Sequence, residues 1–153
     1  MVEKDVLILG IGNILLQDDG LGVHILNELE KMDLPDKVEL LDGGTGGFHL
    51  IPIIEDKKKL IILDAIVSED EPGSIYRLKF EDIEYKQKAG ISLHEAGIIE
   101  ALKIASIHGK RPDTIIIAVR PKEYKAFGLD VTPEIKKIFP DVIDLVMKEI
   151  SLC

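Results

Sequence analysis

One cysteine, no tryptophan and a shortage of positive charge bound what this chain can be. The cysteine is the final residue, Cys153, which excludes an intrachain disulfide and the usual multi-cysteine zinc sites. A thiol at a fraying terminus is also a poor nucleophile. Lys and Arg number 19 against 28 Asp and Glu, giving a net charge of −9. That sign disfavours a phosphate backbone or an anionic lipid surface, so neither nucleic acid nor a membrane is expected as a partner. No basic start followed by an apolar run looks like a signal peptide, and no apolar stretch reaches bilayer length. The expectation is a cytoplasmic protein in a reducing compartment. No Gly-x-Ser-x-Gly elbow, internal repeat or low-complexity linker interrupts the 153 residues. That length suits one domain over residues 1–153 with a full core.

What is present is an alternation of apolar runs and helical stripes. Val6 to Leu9, Val38 to Leu41, Leu60 to Leu63 and Ile115 to Val119 read as strands buried on both faces. Gly22, Ile25, Leu26 and Leu29 share one helical face, and Ile98, Ala101, Leu102 and Ala105 share another. A third stripe, Ile135, Ile138, Phe139 and Val142, is interrupted at Pro140, and Thr132-Pro133 reads as its start. A short helix falls within Gly46 to Asp56 near Pro52. Ser74 to Phe80, after the turn Asp70-Glu71-Pro72-Gly73, reads as an edge strand. The predicted fold is α/β, a three-layer α/β/α sandwich around a mainly parallel sheet with one antiparallel edge strand.

The chemistry starts at Gly10-Ile11-Gly12-Asn13, which opens like a nucleotide-binding loop. The third small residue of that motif is missing, since Leu15 stands there, and Asp18-Asp19 would repel a pyrophosphate at the helix start. Acid beside a glycine loop suits a cation. Asp64, at the end of the third strand, and His94, at the head of a helix, complete a mixed oxygen and nitrogen set. Such a set suits nickel, zinc, cadmium or iron better than magnesium. Asp18 reads as an N-cap. Ser92 and Glu95 read as a capping box, which leaves His94 in a first turn that favours neutral imidazole. Asp64 is open to two readings, a functional one and that of a buried acceptor of backbone amides. His24 and His108 are assigned no role, and that of His49 stays open. The glycine-rich loop Asp42-Gly43-Gly44-Thr45-Gly46-Gly47 is a candidate binding element, and Asp42 sits where a dinucleotide protein keeps its ribose-binding acid.

Taken together, Gly10-x-Gly12-Asn13 with Asp18-Asp19-Gly20-x-Gly22, Leu41-Asp42-Gly43-Gly44-Thr45, Asp64-Ala65 and Ser92-x-His94 resemble the maturation endopeptidases of nickel-iron hydrogenases. The likeness extends through Arg120-Pro121, Gly128-Leu129 and Thr132-Pro133. It implies a twisted five-stranded sheet between helices, and removal of a C-terminal extension from the hydrogenase large-subunit precursor. It also implies that Asp19, Asp64 and His94 are the catalytic and metal-contacting residues, the first position being Glu or Asp in the family. Asp42, Gly43, Gly44 and Thr45 correspond to a segment proposed to meet the substrate. Nickel is expected to arrive with the substrate, with no organic cofactor. Two readings from other classes remain: a nucleotide or small-ligand binding module, and a non-catalytic nickel chaperone using the same three ligands.

Overall fold

The computed structural model describes residues 3–93 and 97–153. Among the described residues, six strands form the sheet: β1 (Val6–Ile11), β2 (Val38–Gly44), β3 (Lys59–Val67), β4 (Ile75–Lys79), β5 (Ser92–Leu93) and β6 (Asp113–Val119). The helices are α1 (Leu21–Glu30), α2 (Ile51–Glu55), α3 (Ile83–Lys88), α4 (Gly97–Ile107), α5 (Pro133–Lys136) and α6 (Phe139–Ser151). Strand order is β2-β1-β3-β6-β4, with β4 antiparallel to β6 at the edge and the other four of these parallel, while the sixth strand, β5, pairs antiparallel with the end of β3. The expected layered α/β architecture is the one observed.

Alternation along the strands explains the layers, because successive side chains point to opposite faces. Val6, Ile8, Ile61, Leu63, Ile115 and Ile117 pack with α1, α5 and α6 on one side. Leu7, Leu9, Leu60, Ile62 and Ile116 pack with Ile54 of α2, Ile83 of α3 and Ile98 and Leu102 of α4 on the other. Strands covered on both faces need apolar residues at every position, which is why they read as unbroken runs.

Several boundaries differ from the sequence expectation. The break in the last stripe falls before Phe139, not at Pro140, which sits in the first turn of α6 where its missing N–H costs nothing. Helix α3 has no counterpart in the periodicity, because Ile83 is its only buried residue. Ser92 does not cap a helix: it and Leu93 are strand residues, and Ser92 pairs with Val67. Glu95, its supposed partner, lies outside the described residues.

Two irregularities shape the carboxyl edge of the sheet. Strand β3 pairs with β1 as far as Leu63 and with β6 as far as Ala65, then runs on alone. Its extension, Ile66 and Val67, is taken up by β5. The β1–β2 register slips by one residue, so that Gly10 faces Asp42 but Ile11 faces Gly44. The extra residue, Gly43, is a bulge of the kind that re-aims a strand end. No helix among the described residues is long and apolar enough to cross a membrane.

Candidate functional site

The chain runs from β1 to the neighbouring β2 and then crosses to β3 on the other side of β1, so the strand order switches direction between β1 and β3. Open α/β sheets gather ligands at the carboxyl ends of strands that flank such a switch. Asp19 follows β1 and Asp64 lies on β3, so both carboxylates belong to this edge. Asp64 does not end its strand as expected: it is followed by Ala65, Ile66 and Val67.

Close backbone contacts hold these parts together. Asp18 and Asp19 sit in a 3-10 turn, Gln17–Gly20, between β1 and α1. Gly12 adopts φ 141°, and a Cβ there would lie 2.0 Å from the Asp19 carbonyl oxygen, so only glycine lets the acidic turn fold down over the strand end. At the start of α1, a Cβ on Gly22 would lie 2.1 Å from the Leu63 carbonyl oxygen and 2.6 Å from that of Ile11. The helix that follows Asp19 thus rests directly on the residue preceding Asp64.

Both carboxylates are buried, Asp19 at 1% and Asp64 at 0% relative exposure. The Asn13 N–H donates to Asp19 Oδ2 at 3.1 Å, and the Ala65 N–H donates to Asp64 Oδ1 at 2.7 Å. The amide bond to Asp64 is the backbone-acceptor arrangement considered for it, although the donor is its own neighbour and not a glycine loop. By strand alternation Asp64 shares its sheet face with Ile62 and Ile66, the face covered by α2 and α4. His94 lies outside the described residues. The residue before it, Leu93, pairs with Ile66 of β3.

Asp18 is not the N-cap that its position suggests. Helix α1 is preceded by Gly20 without a side-chain cap, and the Asp18 carboxylate turns instead to a segment over a hundred residues away. Its Oδ1 accepts from the Thr132 N–H at 2.7 Å. Its Oδ2 accepts from the N–H groups of Lys122 and Glu123, each at 3.0 Å, and from the Thr132 hydroxyl at 2.8 Å. Thr132 does precede α5, but its hydroxyl serves Asp18 and not the helix. The sequence signals for this contact were the Asp doublet and the Arg120-to-Pro133 stretch.

The Asp42–Thr45 loop lies beside the acidic turn. The Gly44 N–H donates to Asp42 Oδ1 at 2.8 Å, and Gly44 accepts from the Gly12 N–H at 2.8 Å. An open groove of about 420 Å³ is lined by Gly12, Asn13, Ile14, Leu15, Asp42, Gly44 and Thr45. The loop continues to α4, since a Cβ on Gly47 would lie 2.7 Å from the Gly97 carbonyl oxygen. His49 lies over Gly46, whose added Cβ would meet its ring, and His108 bonds Glu55 on α2 at 2.8 Å. At the far end of β3, Ser68 and Asp70 bond the Tyr76 phenol, whose pKa is raised by burial and by Asp70.

The hydrogenase maturation protease family model matches residues 23–149. The hydrogenase 2 maturation protease of Escherichia coli is 34% identical over 145 residues, covering 93% of this chain and 88% of its own. Among solved structures, the hydrogenase maturating endopeptidase HybD from E. coli superposes with a TM-score of 0.86 at 33% identity, covering 95% of this chain and 91% of that one. The [NiFe] hydrogenase maturation protease HybD from Thermococcus kodakarensis gives 0.80 at 28% identity, over 94% and 97%. A match of this breadth in sequence, joined to agreement in fold, places the chain in the hydrogenase maturation protease family.

Proposed function

We propose that the protein is an endopeptidase that removes the C-terminal extension of a nickel-iron hydrogenase large-subunit precursor after nickel insertion. In this reading Asp19, Asp64 and His94 engage the nickel displayed by the precursor. The observation that carries it is the convergence of the Asp19 turn and the Asp64 strand, through Gly22 against Leu63, at the switch point of the sheet. The pairing of Leu93 with Ile66 supports His94 as the third member, because His94 follows in sequence on β5, the strand paired with the end of the one that bears Asp64. Two carboxylates and an imidazole match the donor preference of nickel.

The precursor nickel brings most of its own coordination, so the site recognises metal and peptide as one composite. Asp19 and Asp64 are held by backbone amides, which fixes where they present their oxygens. Nickel held there would supply a Lewis acid able to polarise the scissile carbonyl or to activate water. The groove between Gly12–Leu15 and Asp42–Thr45 accommodates the adjoining peptide, with Asp42, Gly44 and Thr45 as its substrate-facing wall; Gly43, expected to join them, is buried behind that wall against Leu9, Ile11 and Leu50.

Asp64→Asn tests this assignment. Asparagine keeps an oxygen for the Ala65 amide but removes the charge, so processing is lost while the melting temperature changes little. Retained processing with a clearly lowered melting temperature would make Asp64 a structural acceptor only.

A further inference from the structure

We infer that Asp18 is a positioning residue for the proposed reaction, fixing both the orientation of Asp19 and the loop that rims the substrate groove. The inference rests on the reading of Asp19 given above. Asp18 and Asp19 are consecutive, fully buried and serve opposite sides of one short turn. Asp19 bonds Asn13, on the β1 side, whereas both oxygens of Asp18 bond residues 122, 123 and 132 of the closing segment. The Asp18 N–H also donates to the Glu123 carbonyl at 2.9 Å, so backbone and side chain grip the same residue.

Next to this clasp the two segments are stitched backbone to backbone. The Gln17 N–H donates to the Gly128 carbonyl at 3.0 Å and the Gly128 N–H to the Leu15 carbonyl at 2.9 Å. Gln17 holds φ 50°, a left-handed conformation unusual for a residue with a side chain, so the turn depends on its surroundings to keep its path. The clasp supplies that support. It also sets Gly128, flanked in sequence by the exposed Phe127 and Leu129, against Leu15, which lines the groove. A carboxylate accepting four hydrogen bonds has no equivalent in asparagine, whose NH2 group would face an N–H or hydroxyl donor. Loosening the clasp therefore frees the turn on both sides: the rim moves, and the Asn13–Asp19 bond opens more often.

The test compares Asp18→Asn with Val146→Ala, a core truncation on α6 away from the turn. Amide hydrogen exchange and cleavage kinetics are measured well below both melting temperatures. Asp18→Asn should speed exchange at the amides of Asn13, Lys122, Glu123 and Thr132 and lower kcat by about tenfold or more, a loss that excess precursor does not restore. Val146→Ala should leave both unchanged. Thr132→Val, which removes only the hydroxyl bond, should shift exchange in the same direction by less, and it serves if Asp18→Asn does not fold. Unchanged protection of the Asn13 amide, or an undiminished kcat, overturns the inference. If the unmodified protein leaves every precursor uncut, the functional reading fails, and the Asn13 amide alone then decides whether Asp18 positions Asp19.

Discussion

Replacing Gly22 by alanine should pull apart the two strand ends that carry the acids. Its Cβ would stand 2.1 Å from the Leu63 carbonyl oxygen and 2.6 Å from that of Ile11. Both are backbone atoms of buried strands, so neither can rotate aside, and α1 must lift off the sheet. Alanine returns up to about 1 kcal/mol of helix propensity. Overpacking of this kind costs about 3 kcal/mol or more, for a net loss of about 2 kcal/mol. For a chain of this length that is a drop of about 4–8 °C in melting temperature. Gly97→Ala, on α4, is the matched control: among the described residues the nearest atom to its Cβ would stand 3.5 Å away, so its melting temperature should hold or rise. Calorimetry measures both, and processing is then assayed at a temperature where each variant is folded. Gly22→Ala should be inactive there, because the Asp19 turn has moved relative to Asp64. Wild-type melting and processing by Gly22→Ala would refute the claim that this contact sets the site.

Glu149→Ala should separate stability from processing. Glu149 is buried on α6 and pairs with Arg77 and, at 3.6 Å, with Lys59 at the amino end of β3, which Asp113 also holds at 3.0 Å, so its truncation removes charge-assisted contacts and costs about 1.5–3 kcal/mol. Denaturant melts should show that loss, while processing below the transition stays at the wild-type rate. Tyr76 gives a pH test. Its pKa is raised from 10.0 by burial and by Asp70, so the folded state holds the phenol proton longer than the unfolded state does. The stability it contributes is full below pH 10 and is lost as pH rises through the folded value. Melts across the alkaline range should decline less steeply for Tyr76→Phe than for the unmodified protein.

The core was legible because β1, β3 and β6 are covered on both faces and must be apolar throughout. Strand β4 was legible for a different reason, the Asp70–Gly73 turn ahead of an alternating run. The extension of β3 beyond Asp64 was hidden, since a carboxylate looks like a strand end when the amide it bonds, Ala65, cannot be seen. Asp18 failed as an N-cap because an aspartate before a helical stripe has the same local pattern whether it bonds its own helix or Thr132. Ser92 failed likewise, its partner Val67 lying 25 residues back in the chain. In both cases a long-range bond displaced a local one, and single-sequence spacing carries no record of that competition. Asp19 and Asp64 could be nominated from sequence, but their shared edge follows from β3 lying beside β1, opposite β2.

Under the proposed function, nickel carried by the precursor gates its cleavage. The protein is incubated with nickel-loaded and with metal-free large-subunit precursor, each with and without a chelator, and the product lengths are read by mass spectrometry. Only the nickel-loaded precursor should be shortened, and His94→Ala should abolish this response. Efficient cleavage of metal-free precursor in the presence of chelator would contradict it.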